Sequence, residues 1–387
     1  MKLAMIGFGQ AGGKIVDKFV EYDRRIGADV VRSAIAVNTA KADLAGLQNV
    51  PERNRVLIGQ ARVKGHGVGA DNELGADIAE EDLDEIQGAV DQVPVHEIDA
   101  FLVVAGMGGG TGSGGAPVLS GHLKRIYTEP VYGLGVLPAQ DEGGIYTLNA
   151  ARSFKTFVDQ VDNLLVFDND AWRETGESMR GGYDRINEEI VRRFGVLFAA
   201  GEVQPGQKVG ESVVDSSEII NTLSCGGVST IGYATEQVEN PNGGLLGRFR
   251  DSELDATETT NRLTSLVRKA ALGRLTLPCE VRSTDRSLVV MSGPSDYLNR
   301  KGIERGRKWL ENETASMEVR GGDYPVEDSE HVAAVTLLSG VTDVPRIKQL
   351  QGIAIETQDN IEDIREESQQ NLNNLVKDDA GELEALF

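Results

Sequence analysis

Three glycine-rich segments, each following an apolar run, carry the residues of this chain best suited to chemistry. Gly106–Gly115 reads GMGGGTGSGG, with glycine at seven of ten positions, and follows the run Ala100–Ala105. Such flexibility costs backbone entropy and persists where backbone must come very close to something. The pattern predicts a buried strand, a loop and then a helix from Ala116 to Arg125. Bare N–H groups and a helix N-terminus would then face phosphate oxygens. A second segment, Gly7–Lys14 (GFGQAGGK), has the GxGxxG spacing of a dinucleotide loop. A dinucleotide site needs an acid at the tip of the next strand to hold a ribose. Here that strand ends Ala36-Val37-Asn38-Thr39, without one. Gly12-Gly13-Lys14-Ile15 also lacks the GK[ST] register of a P-loop. What remains is a cradle for a di- or triphosphate that works through backbone N–H groups and not through lysine. Gly65–Asn72 (GHGVGADN) is a third loop of this kind.

The elements that must position these loops are legible in the first 200 residues. Short β-rich runs at Lys2–Ile6, Ser33–Val37, Arg55–Ile58, Ala100–Ala105, Pro130–Leu137 and Leu164–Phe167 alternate with helical stretches. This predicts a mostly parallel sheet covered on both faces, with ligands beyond the carboxyl ends of its strands. From Tyr183 to Ala200, Ile186, Ile190, Phe194, Leu197 and Phe198 form one helical stripe. Asn187 falls on that stripe, where an amide left unmet costs about 1–3 kcal/mol. Its carbonyl and NH2 match a nucleobase edge, with Tyr183 one turn earlier able to stack. A bond to backbone would satisfy it equally well. Asn169, after the run Leu164–Phe167, is a second amide of this type.

Gly201–Gly210 breaks the pattern, and a second helical stretch begins near Val214. Ser229–Val341 carries β-like runs at Leu288–Ser292 and Val332–Leu338 and reads as a second α/β domain. Beyond Arg346, Leu350, Ile353, Ile361 and Ile364 predict a helix packed on the body, fraying into an acidic tail.

Composition narrows the function. The 387 residues exceed one ordinary domain, and 40% hydrophobic with 26% charged residues is globular. A net charge of −22 argues against nucleic acid and anionic membranes as partners. It suits a high-salt cytoplasm, or a mesophilic protein with an acidic tail. Nothing resembles a signal peptide, and no apolar stretch approaches the roughly 20 residues that span a bilayer. Cys225 and Cys279 fit a reducing compartment, and His66, His96, His122 and His331 lack metal-ligand spacing.

Gly108-Gly109-Gly110-Thr111-Gly112-Ser113-Gly114 matches the GGGTG[ST]G phosphate motif without a mismatch. The chain resembles the tubulin/FtsZ superfamily, and most closely its CetZ group from haloarchaea, over about residues 1 to 345. The resemblance implies an α/β, Rossmann-like GTPase domain with a parallel sheet, a central helix and a second α/β domain. Its divisions would be 1–182 for GTP binding, 183–228 for the central helix and catalytic loop, 229–345 for the second domain, and 346–387 for the acidic tail. By the same resemblance, Gly9, Gln10, Ala11 and Gly12 contact the α- and β-phosphates, and Gly13 and Lys14 belong to the same nucleotide-binding set. Gly109, Gly110, Thr111 and Gly112 hold the other side, and Ala70 and Asp71 face the γ-phosphate. Glu142 meets the ribose, Asn169 and Asn187 read guanine, and Tyr183 stacks on it. GTP or GDP is the implied ligand, with Mg2+ carried on the phosphates and no separate metal site.

In this family the loop after the central helix enters the nucleotide site of the neighbouring subunit. Here it reads Val213-Val214-Asp215-Ser216-Ser217-Glu218. Asp215 and Glu218 are three apart, so one helical turn puts both carboxylates on one side, where Glu218 would position the attacking water and Asp215 support it. The two could equally cap a helix. The implied protein is a cytoplasmic GTPase that polymerises head-to-tail with itself, in cell shape or motility, with a possible membrane adaptor on its tail. The alternatives are an FtsZ-like division protein and a non-hydrolysing nucleotide-sensing scaffold. Several residues depart from FtsZ towards tubulin: Tyr146 stands where FtsZ usually has arginine, Asn187 where it has aspartate, and Asp215-x-x-Glu218 replaces two aspartates. The C-terminus also lacks the apolar-basic peptide with which FtsZ recruits membrane anchors.

Overall fold

The computed structural model describes residues 1–174, 179–202, 214–238, 256–314, 316 and 318–376. Ten strands form one sheet: β1 (Leu3–Phe8), β2 (Val31–Asn38), β3 (Arg55–Leu57), β4 (Ala100–Gly106), β5 (Val131–Leu137), β6 (Asn163–Asp168), β7 (Val228–Gln237), β8 (Arg286–Gly293), β9 (Glu318–Pro325) and β10 (His331–Ser339). Their order is β3-β2-β1-β4-β5-β6-β7-β10-β8-β9. Only β10 runs against the rest, antiparallel to both β7 and β8. The strands of the first half are near-continuous apolar runs because helices cover both sheet faces. Ile6, Phe8, Phe101 and Phe157 pack on one face; Met5, Phe167, Phe194 and Phe198 pack on the other.

The two halves join through a narrow seam. β6 and β7 pair at only two positions, Leu164 with Val228 and Leu165 with Ser229. Beyond it Thr276 is wedged in: Asp168 N donates to its carbonyl at 2.8 Å, and its own amide donates to Ile231 O at 2.9 Å. β7 and β9 were not legible as strands in the sequence. β9 (EVRGGDYP) mixes charges and glycines because it lies at the sheet edge, and β7 turns from buried to solvated along its length.

The helix Met179–Ala199 buries the stripe Ile186, Ile190, Phe194, Leu197 and Phe198, as its periodicity demands. A short helix, Ser216–Leu223, follows it, and a 32-residue helix, Pro345–Val376, closes the described chain. Leu350 is buried at the root of that helix, whereas the side chains of Ile361 and Ile364 lie outside the described residues, as does the acidic tail from 377. Most of the Gly201–Gly210 break and Val213 also lie outside them.

Candidate nucleotide site

Two of the three glycine segments prove to be helix starts more than loops. The helix after β1 begins at Gly9 and that after β4 at Thr111, five residues before the Ala116 that the sequence predicts. Each places unpaired first-turn N–H groups at the carboxyl edge of the sheet. Close approach explains two of the glycines. Gly9 has φ +73°, and a Cβ there would lie 2.8 Å from Gly112 N. At Gly12 a Cβ would fall 2.1 Å from Val104 O, so glycine lets the helix lie on β4.

These helix starts and the Gly65–Asn72 loop enclose a cavity of about 430 Å³. Gly9, Gln10, Ala11 and Lys14 line it from one side, and Gly109, Gly110, Thr111 and Gly112 from the other. Ala70, at φ +66°, closes the third side. Glu142, Asn169, Tyr183 and Asn187 line the remaining end. Gly12 and Gly13 lie behind the wall, Gly13 beside Leu47 and Ala36. Asp71 is also set back: its carboxylate accepts from Leu74 N at 3.0 Å and caps the helix Asn72–Glu81.

Further side chains hold this shape, and sequence reading missed them. Thr39 and Thr111 share a buried hydroxyl contact of 2.7 Å between two of the loops. Asp43 accepts from Gln10 Nε2 at 3.0 Å and from Asn38 Nδ2 at 3.1 Å. Asn149 Nδ2 donates to Ala70 O at 2.6 Å and to Gly108 O at 3.0 Å, so one amide sets two cradle segments. Its signal was present: like Asn187, it is an amide on the buried face of a helix, beside Leu148 and Ala150.

At the far end, Glu142 accepts from Ala139 N at 2.7 Å and from the Tyr183 phenol. Burial first, and then Glu142, hold the Tyr183 hydroxyl well above the usual phenol range. Asn169 is 7% exposed, and its Oδ1 is buried without a partner among the described residues. An unmet acceptor there is destabilising unless a ligand donor fills it.

Asp215 and Glu218 stand elsewhere. Asp215 caps Ser216–Leu223, accepting from Glu218 N at 3.1 Å and from Ser217 Oγ at 2.5 Å. The Ser217 hydroxyl, above all, keeps its carboxyl below the usual range. Glu218 is half-buried, and its Oε2 has no partner among the described residues. Burial and then the Asp215 charge raise its pKa, against the opposite pull of Arg320 and Arg307. The carbonyl of Leu223, at the end of this helix, accepts from Nδ2 of Asn163, the first residue of β6. Arg286, the first residue of β8, donates to Asn221 O. The two acids therefore belong to the amino edge of the sheet, and the cavity to its carboxyl edge.

Two family models divide the chain between them. The tubulin/FtsZ family GTPase domain matches residues 2–177, and the C-terminal domain of tubulin-like CetZ matches residues 176–356. The tubulin-like protein CetZ1 of Haloferax volcanii is 74% identical over 374 residues, covering 95% of each chain. The chain belongs to the tubulin-like CetZ family. Solved CetZ structures share its fold closely. The GDP-bound monomer of Haloferax volcanii CetZ1 is 70% identical, with a TM-score of 0.83 over 92% of this chain and all of that one. The GTPγS-bound protofilament of CetZ2 from the same organism is 47% identical, again with a TM-score of 0.83, over 94% of this chain and all of that one. The resemblance carried by GGGTGSG thus extends through the second half of the CetZ chain, where the sequence held no comparable motif.

Proposed function

We propose that this chain binds GTP in the three-sided cavity and hydrolyses it only when a second copy, docked head-to-tail, brings Glu218 to the γ-phosphate. The observation that carries this reading is the separation of the two half-sites. The cavity has phosphate cradles, but its lining acids Asp43 and Glu142 are already hydrogen-bonded, and Glu218, whose Oε2 has no partner among the described residues, lies across the sheet. Six residues of β6 at about 3.3 Å each put roughly 20 Å between the two edges. A repeated translation joins carboxyl edge to amino edge and generates an open filament. The GTPγS-bound protofilament of Haloferax volcanii CetZ2 is consistent with such an assembly.

In this reading the nucleotide lies with its phosphates on the first-turn N–H groups at Gly9 and Thr111 and its base between Asn169, Asn187 and Tyr183. Guanine offers N1–H and an exocyclic amino group, the donors that the Asn169 acceptor lacks. A magnesium ion carried on the phosphates would neutralise their charge. Glu218, with its proton affinity raised by burial, holds the attacking water and takes part of its proton. Asp215 fixes the helix that carries it. A role in archaeal cell shape or motility, inside the cytoplasm, completes this reading; among the described residues no helix is long and apolar enough to cross a membrane.

The test is specific GTPase activity against protein concentration in molar salt. The rate per subunit rises with concentration if the site is shared. A concentration-independent rate refutes the shared site.

A further inference from the structure

One buried guanidinium ties the C-terminal helix to the base end of the cavity. Arg346 lies in the first turn of Pro345–Val376 and is 6% exposed. Its Nε donates to Asp168 Oδ1 at 3.3 Å, its Nη2 to Pro138 O at 2.9 Å, and its Nη1 to Gln349 Oε1 at 3.3 Å. Asp168 is the last residue of β6, 3% exposed, and the same Oδ1 accepts from Asp170 N at 3.2 Å. It thereby caps the short turn that opens with Asn169. Pro138 follows β5 and lines the cavity beside Gly108. A single side chain therefore sets the ends of two adjacent strands, 178 and 208 residues away in sequence.

Helix stability does not account for this placement. A cation in the first turn opposes the helix dipole, and burying one costs more than leaving it in water. The same helix also touches the loop after Pro138. Gln140 Nε2 donates to Gln349 Oε1 at 3.4 Å, and a Cβ on Gly144 would meet Thr357 at 3.0 Å. The helix Gly144–Gln160 in turn carries Asn149, which holds the Ala70 and Gly108 carbonyls. The root of the C-terminal helix is thus joined to both the base end and the phosphate end of the cavity.

We propose that Arg346 is a positioning residue for guanine recognition, aiming Asn169 through Asp168 and Pro138, and that it makes the C-terminal helix respond to the bound nucleotide. This rests on the reading of the cavity as a guanine-nucleotide site. A helix coupled to the base must stiffen when the base binds, because linkage is reciprocal. Arg346 does not itself line the cavity. Its charged bond runs to Asp168 and the turn that carries Asn169, so its effect falls chiefly on the geometry of the base contact.

Calorimetric titration of the full chain with GDP and with inosine diphosphate, which lacks the exocyclic amino group of guanine, separates these contributions. Arg346→Met weakens GDP about tenfold, the scale of one hydrogen bond to the base, and narrows the preference for GDP over inosine diphosphate. Arg346→Lys, keeping charge but not the fork, recovers part of that preference. The double variant Arg346→Met with Asp168→Asn leaves no buried charge unpaired, so it tests recognition even if the single variant fails to fold. In wild type, GDP slows amide exchange over residues 347–356, and in the variants it does not. Equal weakening of both nucleotides, or unchanged protection of the helix, overturns the role of Arg346. If wild type itself fails to prefer GDP, the guanine reading of the cavity falls first and the proposal with it.

Discussion

Asn163 and Asn169 bracket strand β6 and serve opposite edges of the molecule. Asn163 donates to the carbonyls of Leu223 and Gly226, both at 3.0 Å, and so anchors the end of the helix Ser216–Leu223, which Asp215 caps and whose first turn carries Glu218. Asn169 lies just past the other end, in the cavity wall, with its acceptor unmet among the described residues. One strand therefore sets the distance between a nucleotide pocket and the acid that would act on another subunit's nucleotide.

That relationship predicts complementation between two inactive variants. Glu218→Ala keeps the cavity and loses at least about 100-fold in turnover, the contribution of a positioned base. Asn187→Leu keeps the acids and loses nucleotide. Mixing them restores GTP hydrolysis, because the cavity of the first meets Glu218 of the second. Phosphate release from the mixture, measured against each variant alone, checks this; activity no greater than the sum of the two refutes it.

Asn169→Leu separates binding from folding. Leucine fills a similar volume and removes a buried acceptor that has no partner among the described residues, so the melting temperature of the nucleotide-free protein holds or rises. Affinity for GDP falls at least tenfold, by about 1.4 kcal/mol. Scanning calorimetry with and without GDP reads both. A variant that melts lower yet binds GDP normally would assign Asn169 to the fold alone.

Asn149→Ala frees the carbonyls of Ala70 and Gly108 together, leaving buried acceptors that cost about 1–3 kcal/mol. The damage falls on the phosphate end, so GDP and inosine diphosphate weaken in equal proportion. A change in the ratio between them contradicts that assignment.

The buried pair of Asp168 and Arg346 imposes a pH dependence of defined sign. Burial lifts the Asp168 carboxyl from 3.8 to about 6; Arg346 and the Asp170 N–H draw it down without cancelling burial, and the Asp170 charge adds a smaller upward push. The folded state then holds the proton more tightly than the unfolded chain does. The contribution of Asp168 to stability declines as pH rises from about 4 to about 6 and is level above that. Asp168→Asn cannot titrate, so its melting temperature relative to wild type climbs across that window and then flattens. A flat difference from pH 4 to 7 refutes the raised pKa. Molar salt leaves the effect in place, since buried charges are poorly screened.

What the sequence determined by itself was whatever is encoded in consecutive residues. The apolar runs of β1, β2, β4, β5 and β6, the stripe Ile186–Phe198 and the motif GGGTGSG follow from local periodicity and spacing, and they suffice for the fold class and the family. Asn187 was legible because a polar residue on an apolar stripe stands out. Tertiary packing decided the rest. β7 and β9 emerge only once neighbouring strands cover them, since their own residues alternate charge, glycine and apolar types. Gly12 and Gly13, in motif positions, lie behind the cavity wall because the helix already starts at Gly9, and Asp71 caps the separate helix Asn72–Glu81. Arg346, Asp168 and Pro138 meet across 178 and 208 residues, and no local pattern marks residues whose partners are set by where a distant helix docks. The distance from Asn169 to Glu218 is of the same kind: each residue was visible in the sequence, and only the direction of β6 placed them at opposite edges of the sheet.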